Sequence, residues 1–338
     1  MRKKVIGCLG VILVLALTVS LIMNVVFSGL LGGRGAGVLR TPERFEELLV
    51  QMPAGMDAED APRIAQIDIT GVIAGEALLG GGESLVTRTK RALQQAVDDQ
   101  RVKAIVLRID SPGGEVTASD TIYHAVKEAA AKKTVIASMD SIAASGGYYI
   151  ACGANKIVAN PNTWTGSIGV IVQTLGYSGL LDKAGLKMRV FRSGSFKDAL
   201  GGHREMTPEE EKYIQDMVMQ TYDRFTAIVS AARGIPVEEL KSGVADGRII
   251  SGADAFKLKL VDRTGYLEDA WQLAREIAGL KDSAVVAYSR PHASLMDILT
   301  SVKAEGGISQ RLEIDLSDRL LPRLQPGRMY LLPEFMAH

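Results

Sequence analysis

The sequence predicts an α/β fold with parallel strand pairing, preceded by a transmembrane helix. Three observations lead to this prediction. Short apolar segments alternate with amphipathic segments along most of the chain. A charge-free run occupies residues 5–33, near the N-terminus. Hydrophobic residues make up 47% of the 338 residues, which is enough to bury a sizeable core.

The charge-free run at residues 5–33 is long enough to cross a membrane, because about 20 apolar residues span a bilayer as a helix. Arg2, Lys3 and Lys4 precede it directly. A cleavable signal peptide is the alternative, but its apolar region is usually only about 7–15 residues long. No clear cleavage site precedes Arg34. The pattern therefore favours an uncleaved anchor.

The charges that flank this run predict its orientation. The basic residues before it favour a cytoplasmic N-terminus. Arg34, Arg40 and Arg44 follow it, so the bias is modest. We expect a single-pass protein of the cell membrane whose folded domain lies outside the cytoplasm.

Composition divides the chain into four regions. The segment after the anchor is rich in Gly, Pro and charge, and the C-terminal segment has mixed composition with several prolines. The predicted regions are a cytoplasmic stub and anchor (1–33), a linker or stalk (34–62), an α/β domain (63–282) and a C-terminal extension (283–338).

Periodicity predicts the elements of the α/β domain. Apolar runs predict strands at residues 64–73, 102–109, 134–139, 156–159 and 188–192. Helical spacing predicts helices at residues 84–100, 118–131, 148–153, 251–260 and 267–278. A further helix is expected to begin at Thr207 and Pro208, which are typical capping and first-turn residues, and to end at Gly234.

Charge and metal-ligating residues exclude several function classes. Lys and Arg number 39, as do Asp and Glu, so the chain lacks the basic excess of a general nucleic-acid binder. It contains two cysteines and four histidines, without a familiar zinc-binding spacing. Cys8 lies near the start of the apolar run and is expected to be a buried thiol. We predict no metal site, no cofactor and no nucleic-acid partner.

Two glycine-rich turns follow predicted strands. Residues 110–114 read D-S-P-G-G, and a glycine pair can turn its amides towards an anion. Residues 143–148 read A-A-S-G-G-Y, which places Ser145 at the start of a helix beside the Gly146 amide. An ordinary turn and an ordinary helix cap are the alternatives for these two segments.

A nucleophilic serine needs a base, and two candidates remain. His203 lies in the glycine-rich loop L-G-G-H-R-E. Lys197 lies in S-G-S-F-K-D among small and apolar residues, and a desolvated lysine can act as a general base. Ser167, in T-G-S-I-G, could hold such a lysine, although a structural turn fits equally well. The other histidines lie on a predicted helix or in the tail: His124, His292 and His338.

Taken in order, these motifs resemble one known family. D-S-P-G-G, A-A-S-G-G-Y, N-P-x-T-W-T-G-S-I-G-V and S-G-x-F-K-D are followed by G-R-I-I-S-G-A-D-A and L-V-D. The series resembles the signal peptide peptidase A family of membrane-anchored bacterial Ser/Lys proteases, over about residues 64–280. The resemblance implies a Clp protease/crotonase-like fold. The chain has the length of the short, single-domain form, in which one domain supplies both dyad residues.

The resemblance also implies a role for each candidate. Ser145 corresponds to the nucleophile, Lys197 to the general base and Ser167 to the residue that orients the lysine. The oxyanion hole corresponds to the amides of Gly114 and Gly146, and Gly113 is the alternative to Gly114. The implied protein is a homo-oligomeric serine endopeptidase without a cofactor. Its implied substrates are cleaved signal peptides left in the membrane.

Two other functions remain open from the sequence. One is crotonase-type acyl-CoA chemistry, which uses similar glycine-rich oxyanion holes; the anchor and the Ser/Lys pair argue against it. The other is a non-catalytic membrane scaffold of the same fold. The complete set of Ser145, Ser167 and Lys197 argues against the scaffold.

Overall fold

A computed structural model describes residues 44–57, 61–75 and 83–289, together with the backbone of Tyr330–Leu331. The predicted anchor lies outside the described residues, as do Cys8, His292, His338 and most of the C-terminal extension. None of the helices in the described ranges is both long enough and apolar enough to cross a membrane.

The described residues form a mixed α/β structure around a nine-stranded sheet. Its strands follow the order β1-β10-β2-β3-β5-β6-β9, and β7 and β8 extend from β5. Strands β4 and β11 form a separate pair. The strands are β1 Glu46–Gln51, β2 Arg63–Thr70, β3 Val102–Ser111, β4 Gly114–Glu115, β5 Thr134–Ala144, β6 Lys156–Ala159, β7 Trp164–Gly166, β8 Ile249–Ser251, β9 Arg263–Thr264, β10 Ala284–Ser289 and β11 Tyr330–Leu331.

Eight α-helices and one 3-10 turn occur within the described ranges. The helices are α1 Leu85–Asp98, α2 Val116–Ala130, α3 Gly146–Ala151, α4 Ser178–Lys183, α5 Pro208–Arg233, α6 Val237–Ser242, α7 Gly252–Lys257 and α8 Leu267–Ala278, and the 3-10 turn is Ser195–Asp198. The predicted helix start at Thr207 is confirmed, since its side chain accepts a hydrogen bond from Glu210 N in a capping box. Gly234 ends the same helix in the left-handed conformation.

The sheet carries a hydrophobic layer on each face. Side chains alternate along β3, so Val106 packs with Trp271 of α8 on one face. Leu107 packs with Ile122 of α2 on the other face, within the larger cluster. Both faces are therefore covered, as expected for parallel strands that are almost continuously apolar.

Two outer strands extend the sheet beyond the predicted limits of residues 63–282. Strand β1 pairs antiparallel with β10, and β10 pairs parallel with β2. Apolar residues in both segments form strands because their partners supply a hydrogen-bonding edge. Composition alone assigned these segments to the linker and the C-terminal extension.

The predicted strand at residues 188–192 is wrong. These residues form no strand, and Met188 and Val190 are 54% and 43% exposed. Their alternation satisfies the strand pattern, but no neighbouring strand offers them a partner among the described residues.

Residues 170–206 form a largely exposed segment, which we call the arm. It contains α4 and the 3-10 turn. Burial of the preceding residues ends near Ile168. The exposed apolar side chains of the arm are Leu175, Leu180, Leu186, Met188, Val190, Phe191 and Phe196.

Candidate active site

The two glycine-rich turns meet because they follow neighbouring parallel strands. Ser111, at the end of β3, lies opposite Ala143 of β5. The chain then turns at Gly113, which has a φ of 109°, and continues into Gly114. A side chain at Gly114 would collide with the backbone carbonyl of Ile73, so this position accepts only glycine. Residues far apart in the sequence thus share one edge of the sheet.

Ser145 joins β5 to α3 and has an unusual backbone conformation. Its φ is 53° and its ψ is −112°, a region that favours glycine. Its amide donates a 2.8 Å hydrogen bond to Gly166 O of β7, which holds the turn in place. The residue is fully buried, and within the described part of the chain its hydroxyl has no hydrogen-bond partner.

Gly146 brings the predicted oxyanion-hole amides together. As the first residue of α3 it has no intrahelical acceptor for its amide. A Cβ atom at this position would lie 3.2 Å from Gly114 N, 3.1 Å from Gly113 Cα and 2.5 Å from Ser119 Oγ. Only glycine permits this approach. Gly146 and Gly114 therefore lie side by side next to Ser145.

Ser167 also lies beside the nucleophile candidate. It follows Gly166, whose carbonyl accepts the Ser145 amide, and it is 3% exposed. Its φ of 48° is again left-handed, and its amide donates to Arg248 O at 2.8 Å. Among described non-glycine residues only three have positive φ, and two of them are Ser145 and Ser167. Such concentrated strain is typical of functional sites.

The structure does not bring Lys197 to Ser145 within one chain. Lys197 lies in the 3-10 turn of the arm and is exposed in the single chain. Within the described residues, this lysine donates no hydrogen bond to the buried Ser145 hydroxyl.

His203, the competing base candidate, pairs with Asp198. Its Nε2 lies 3.3 Å from Asp198 Oδ2, and its side chain is only 10% exposed. No hydrogen bond between the described residues joins it to the Ser145 hydroxyl. His124 lies on α2 beside Glu128, with its side chain 72% exposed. Neither histidine makes a hydrogen bond to Ser145 within the described part of one chain.

An ion-pair network holds the lysine-bearing turn against α5. Arg204 donates to Asp198 at 2.7 Å and to Glu210 at 2.7 Å and 2.8 Å. Hydrogen bonds from this guanidinium, and one from Thr207 N, lower the pKa of the Glu210 carboxyl to about 2. Arg204 likewise holds the pKa of Asp198 well below its usual range. The turn containing Lys197 is therefore fixed to the first turn of α5.

No sequence motif marks Ser119 or Arg204. Ser119 lies in a helical segment whose spacing marks it only as a core position. Arg204 lies beside a loop histidine and has no motif of its own, although the capping box at Thr207 and Glu210 is visible in the sequence. Both residues acquire their positions only through contacts between separate elements.

Possible metal ligands and cysteines are alternatives to the serine site in the described part of the chain. No group of three or more possible metal ligands occurs there. Cys152, a free cysteine near the end of α3, is buried, and burial raises its pKa to about 12. A thiol with so high a pKa is a poor nucleophile at neutral pH.

A strained serine at a strand-to-helix turn, with two glycine turns packed beside it, is the arrangement of an α/β serine hydrolase. The family model of peptidase family S49 matches residues 127–281. A Synechocystis sp. protein named as a protease is 42% identical over 226 residues, which cover 66% of this chain and 77% of that protein. The chain belongs to peptidase family S49 and is a serine protease.

Other relatives and one solved structure are also similar to the chain. An Enterococcus faecium protein named as a signal peptide peptidase SppA is 38% identical over 67% of each chain. The chloroplastic serine protease SPPA of Arabidopsis thaliana is 38% identical over 61% of this chain and 31% of its own. A ClpP1 mutant from Listeria monocytogenes has a TM-score of 0.42 and 20% identity, covering 61% of this chain and 93% of that one.

Proposed function

We propose that this serine protease hydrolyses peptides with a Ser145/Lys197 dyad, and that Ser167 orients the lysine. In this proposal the amides of Gly114 and Gly146 bind the oxyanion. The observation that carries it is the contact between the two glycine turns, because it sets two backbone amides beside a strained, buried serine. Preorganised amides of this kind stabilise the negative charge of an acyl-transfer transition state.

The proposed reaction assigns each of these residues a step. Ser145 Oγ attacks the peptide carbonyl while neutral Lys197 takes its proton, and the carbonyl oxygen becomes an oxyanion held by the amides. The tetrahedral intermediate collapses, and the lysine gives its proton to the leaving amine. Water then attacks the acyl-serine ester with Lys197 again as base, which releases the acid and restores Ser145.

The lysine reaches the serine through assembly. Lys197 is exposed on an arm whose apolar side chains include Phe191 at 97% exposure and Leu175 at 80%. Large contiguous apolar surfaces are typical of interfaces. We propose a homo-oligomer in which the arm packs against a neighbouring copy and brings Lys197 to a Ser145 hydroxyl.

Peptide substrates are supported by the edge strand β4. The backbone of Tyr330–Leu331 lies antiparallel to Gly114–Glu115, so this edge accepts an extended strand beside the proposed oxyanion hole. The name of the Enterococcus faecium relative refers to signal peptides, and the proposed substrates are cleaved signal peptides that remain in the membrane.

The proposal includes the Clp protease/crotonase-like arrangement and an anchor at residues 5–33. The N-terminus is then cytoplasmic and the catalytic domain extracytoplasmic. The apolar run and its preceding basic residues support the anchor. An anchor confines enzyme and substrate to one surface.

The test is hydrolysis of an internally quenched apolar peptide by the full chain in detergent. Ser145→Ala, Lys197→Ala and Lys197→Arg are each expected to abolish hydrolysis and remain folded, because arginine does not deprotonate in a protein. His203→Ala is the matched control and retains activity. A fluorophosphonate probe is expected to label wild type but not Ser145→Ala. Full activity in Lys197→Arg contradicts the dyad.

A further inference from the structure

Ser119 places a second buried hydroxyl at the proposed oxyanion hole. It is the fourth residue of α2, the helix that follows Gly114–Glu115, and it is fully buried. Its Oγ lies 2.5 Å from the position of a Cβ at Gly146, and Gly114 N lies 3.2 Å from the same point. Ser119 Oγ therefore lies on the side of Gly146 that faces the other amide.

This hydroxyl has no hydrogen-bond partner among the described residues. A helical serine or threonine usually donates back to a carbonyl of the preceding turn. Thr121 of the same helix does so, with a 2.7 Å hydrogen bond to Thr117 O. Ser119 does not. A buried, unsatisfied hydroxyl lowers stability, so its retention in a native structure requires an explanation.

We propose that Ser119 Oγ is a third hydrogen-bond donor to the oxyanion, beside the amides of Gly114 and Gly146. Its hydroxyl proton makes no hydrogen bond in the free enzyme. It donates to the substrate carbonyl oxygen once that oxygen gains negative charge. A donor that acts only on the developing charge raises kcat and leaves KM nearly unchanged. This inference rests on the proposed function and adds a residue to its catalytic machinery.

The test compares Ser119→Ala with a matched control in the full chain. Alanine removes only the hydroxyl, fits the space and is a good helix former. Thr89→Val is the control, because Thr89 Oγ1 is also buried and without a partner in the described residues, but it lies on α1. Hydrolysis of the quenched peptide, thermal unfolding and inhibition by a peptide aldehyde are measured for each variant.

We expect Ser119→Ala to lower kcat about 10- to 100-fold, somewhat less than the loss of a principal oxyanion donor, with KM within about twofold. Affinity for the aldehyde, whose hemiacetal resembles the intermediate, is expected to fall by the same factor as kcat/KM. The melting temperature of both variants is expected to equal or exceed that of wild type. Thr89→Val is expected to keep wild-type kinetics.

Three results overturn the inference. If Ser119→Ala keeps the wild-type kcat, Ser119 is not part of the oxyanion hole. A melting temperature that falls together with activity indicates a packing role instead. If Ser119→Ala loses activity but binds the aldehyde as wild type does, the hydroxyl does not contact the oxyanion. Absence of Ser145-dependent hydrolysis in wild type is a different result, which overturns the proposed function as well.

Discussion

At the scale of single residues, backbone strain at Ser145 is the most distinctive feature of the site. Its φ and ψ angles suit glycine, and a side chain in a left-handed conformation costs about 1–2 kcal/mol. The Gly166 carbonyl and the start of α3 hold this conformation. Strain at the proposed nucleophile thus opposes stability while it presents the hydroxyl beside the two glycine turns.

Replacing Ser145 separates strain from chemistry. Ser145→Gly is expected to be about 1 kcal/mol more stable than Ser145→Ala, because only glycine relieves the positive φ. Both variants are expected to lack hydrolysis. Chemical denaturation of the two proteins measures the difference, and equal stability of the two proteins contradicts the assigned strain.

At the scale of elements, caps define the ends of the long helix α5. Thr207 and Glu210 form the capping box, and Gly234 closes the last turn with a φ of 67°. The N-terminal end also receives the Arg204 network, so one helix terminus supports both the helix and the lysine-bearing turn.

Gly234→Ala tests the C-terminal end of α5. A Cβ there meets no atom within 4 Å, so only the left-handed conformation opposes the substitution. We expect a loss of about 1 kcal/mol in the free energy of unfolding. Gly176→Ala is the control, because that position is also open but has no positive φ. An equal effect of both substitutions excludes a special role for Gly234.

The Arg204 network predicts a pH dependence. The folded-state pKa of Glu210, about 2, lies below the ordinary value of 4.5. A carboxyl whose pKa is lowered on folding stabilises the fold at pH values above its ordinary pKa. This contribution is lost as the pH falls towards 2. Arg204→Gln is expected to lower stability at neutral pH and to weaken the acid dependence between about pH 5 and 2.

Arg263→Gln is the control for this experiment, because Arg263 pairs with Glu276 at 3.4 Å on an exposed surface. Surface pairs contribute little, so this variant is expected to keep the wild-type pH profile. Melting temperature as a function of pH is the measurement. An Arg204→Gln profile parallel to that of wild type shows that the network does not set the acid dependence.

At the scale of the whole molecule, the proposed site joins a buried serine and an exposed lysine that make no hydrogen bond with each other within the described part of a single chain. The sheet edge holds Ser145, Ser167 and the glycine amides, whereas the arm carries Lys197. The exposed apolar side chains of the arm require cover in solution. Catalysis and assembly are therefore coupled in the proposed enzyme.

Mixing two inactive variants tests this coupling. Ser145→Ala retains the lysine and Lys197→Ala retains the serine, so assemblies that contain both are expected to recover a fraction of wild-type activity. The activity of wild type per chain is expected to fall on dilution, in parallel with the oligomer measured by sedimentation. Mixtures that stay inactive although the chains co-assemble show that each dyad forms within one copy.

Topology of the proposed membrane protein has its own test. Protease added to intact spheroplasts is expected to digest the catalytic domain, since the basic residues favour a cytoplasmic N-terminus. A cytoplasmic protein serves as the control for spheroplast integrity. Full protection of the domain reverses the predicted orientation.

The sequence by itself determined most of the secondary structure and the nucleophile turn. Apolar runs marked β3 and β6, capping residues marked α5, and the glycine pairs marked the turns at Gly114 and Ser145. These features depend on neighbours within a few residues, so local steric and hydrogen-bonding rules are sufficient to predict them. The motif series also pointed to the protease family that the comparisons confirmed.

Only the tertiary structure decided which of these residues meet. It paired β1 with β10, left residues 188–192 without a partner strand, and set Ser119 against Gly146. It also exposed Lys197 and directed His203 to Asp198. Each outcome depends on atoms far apart in the sequence, where packing and available partners outweigh local preference. The physical reason is that burial and hydrogen bonding are properties of the folded surroundings and not of a residue type.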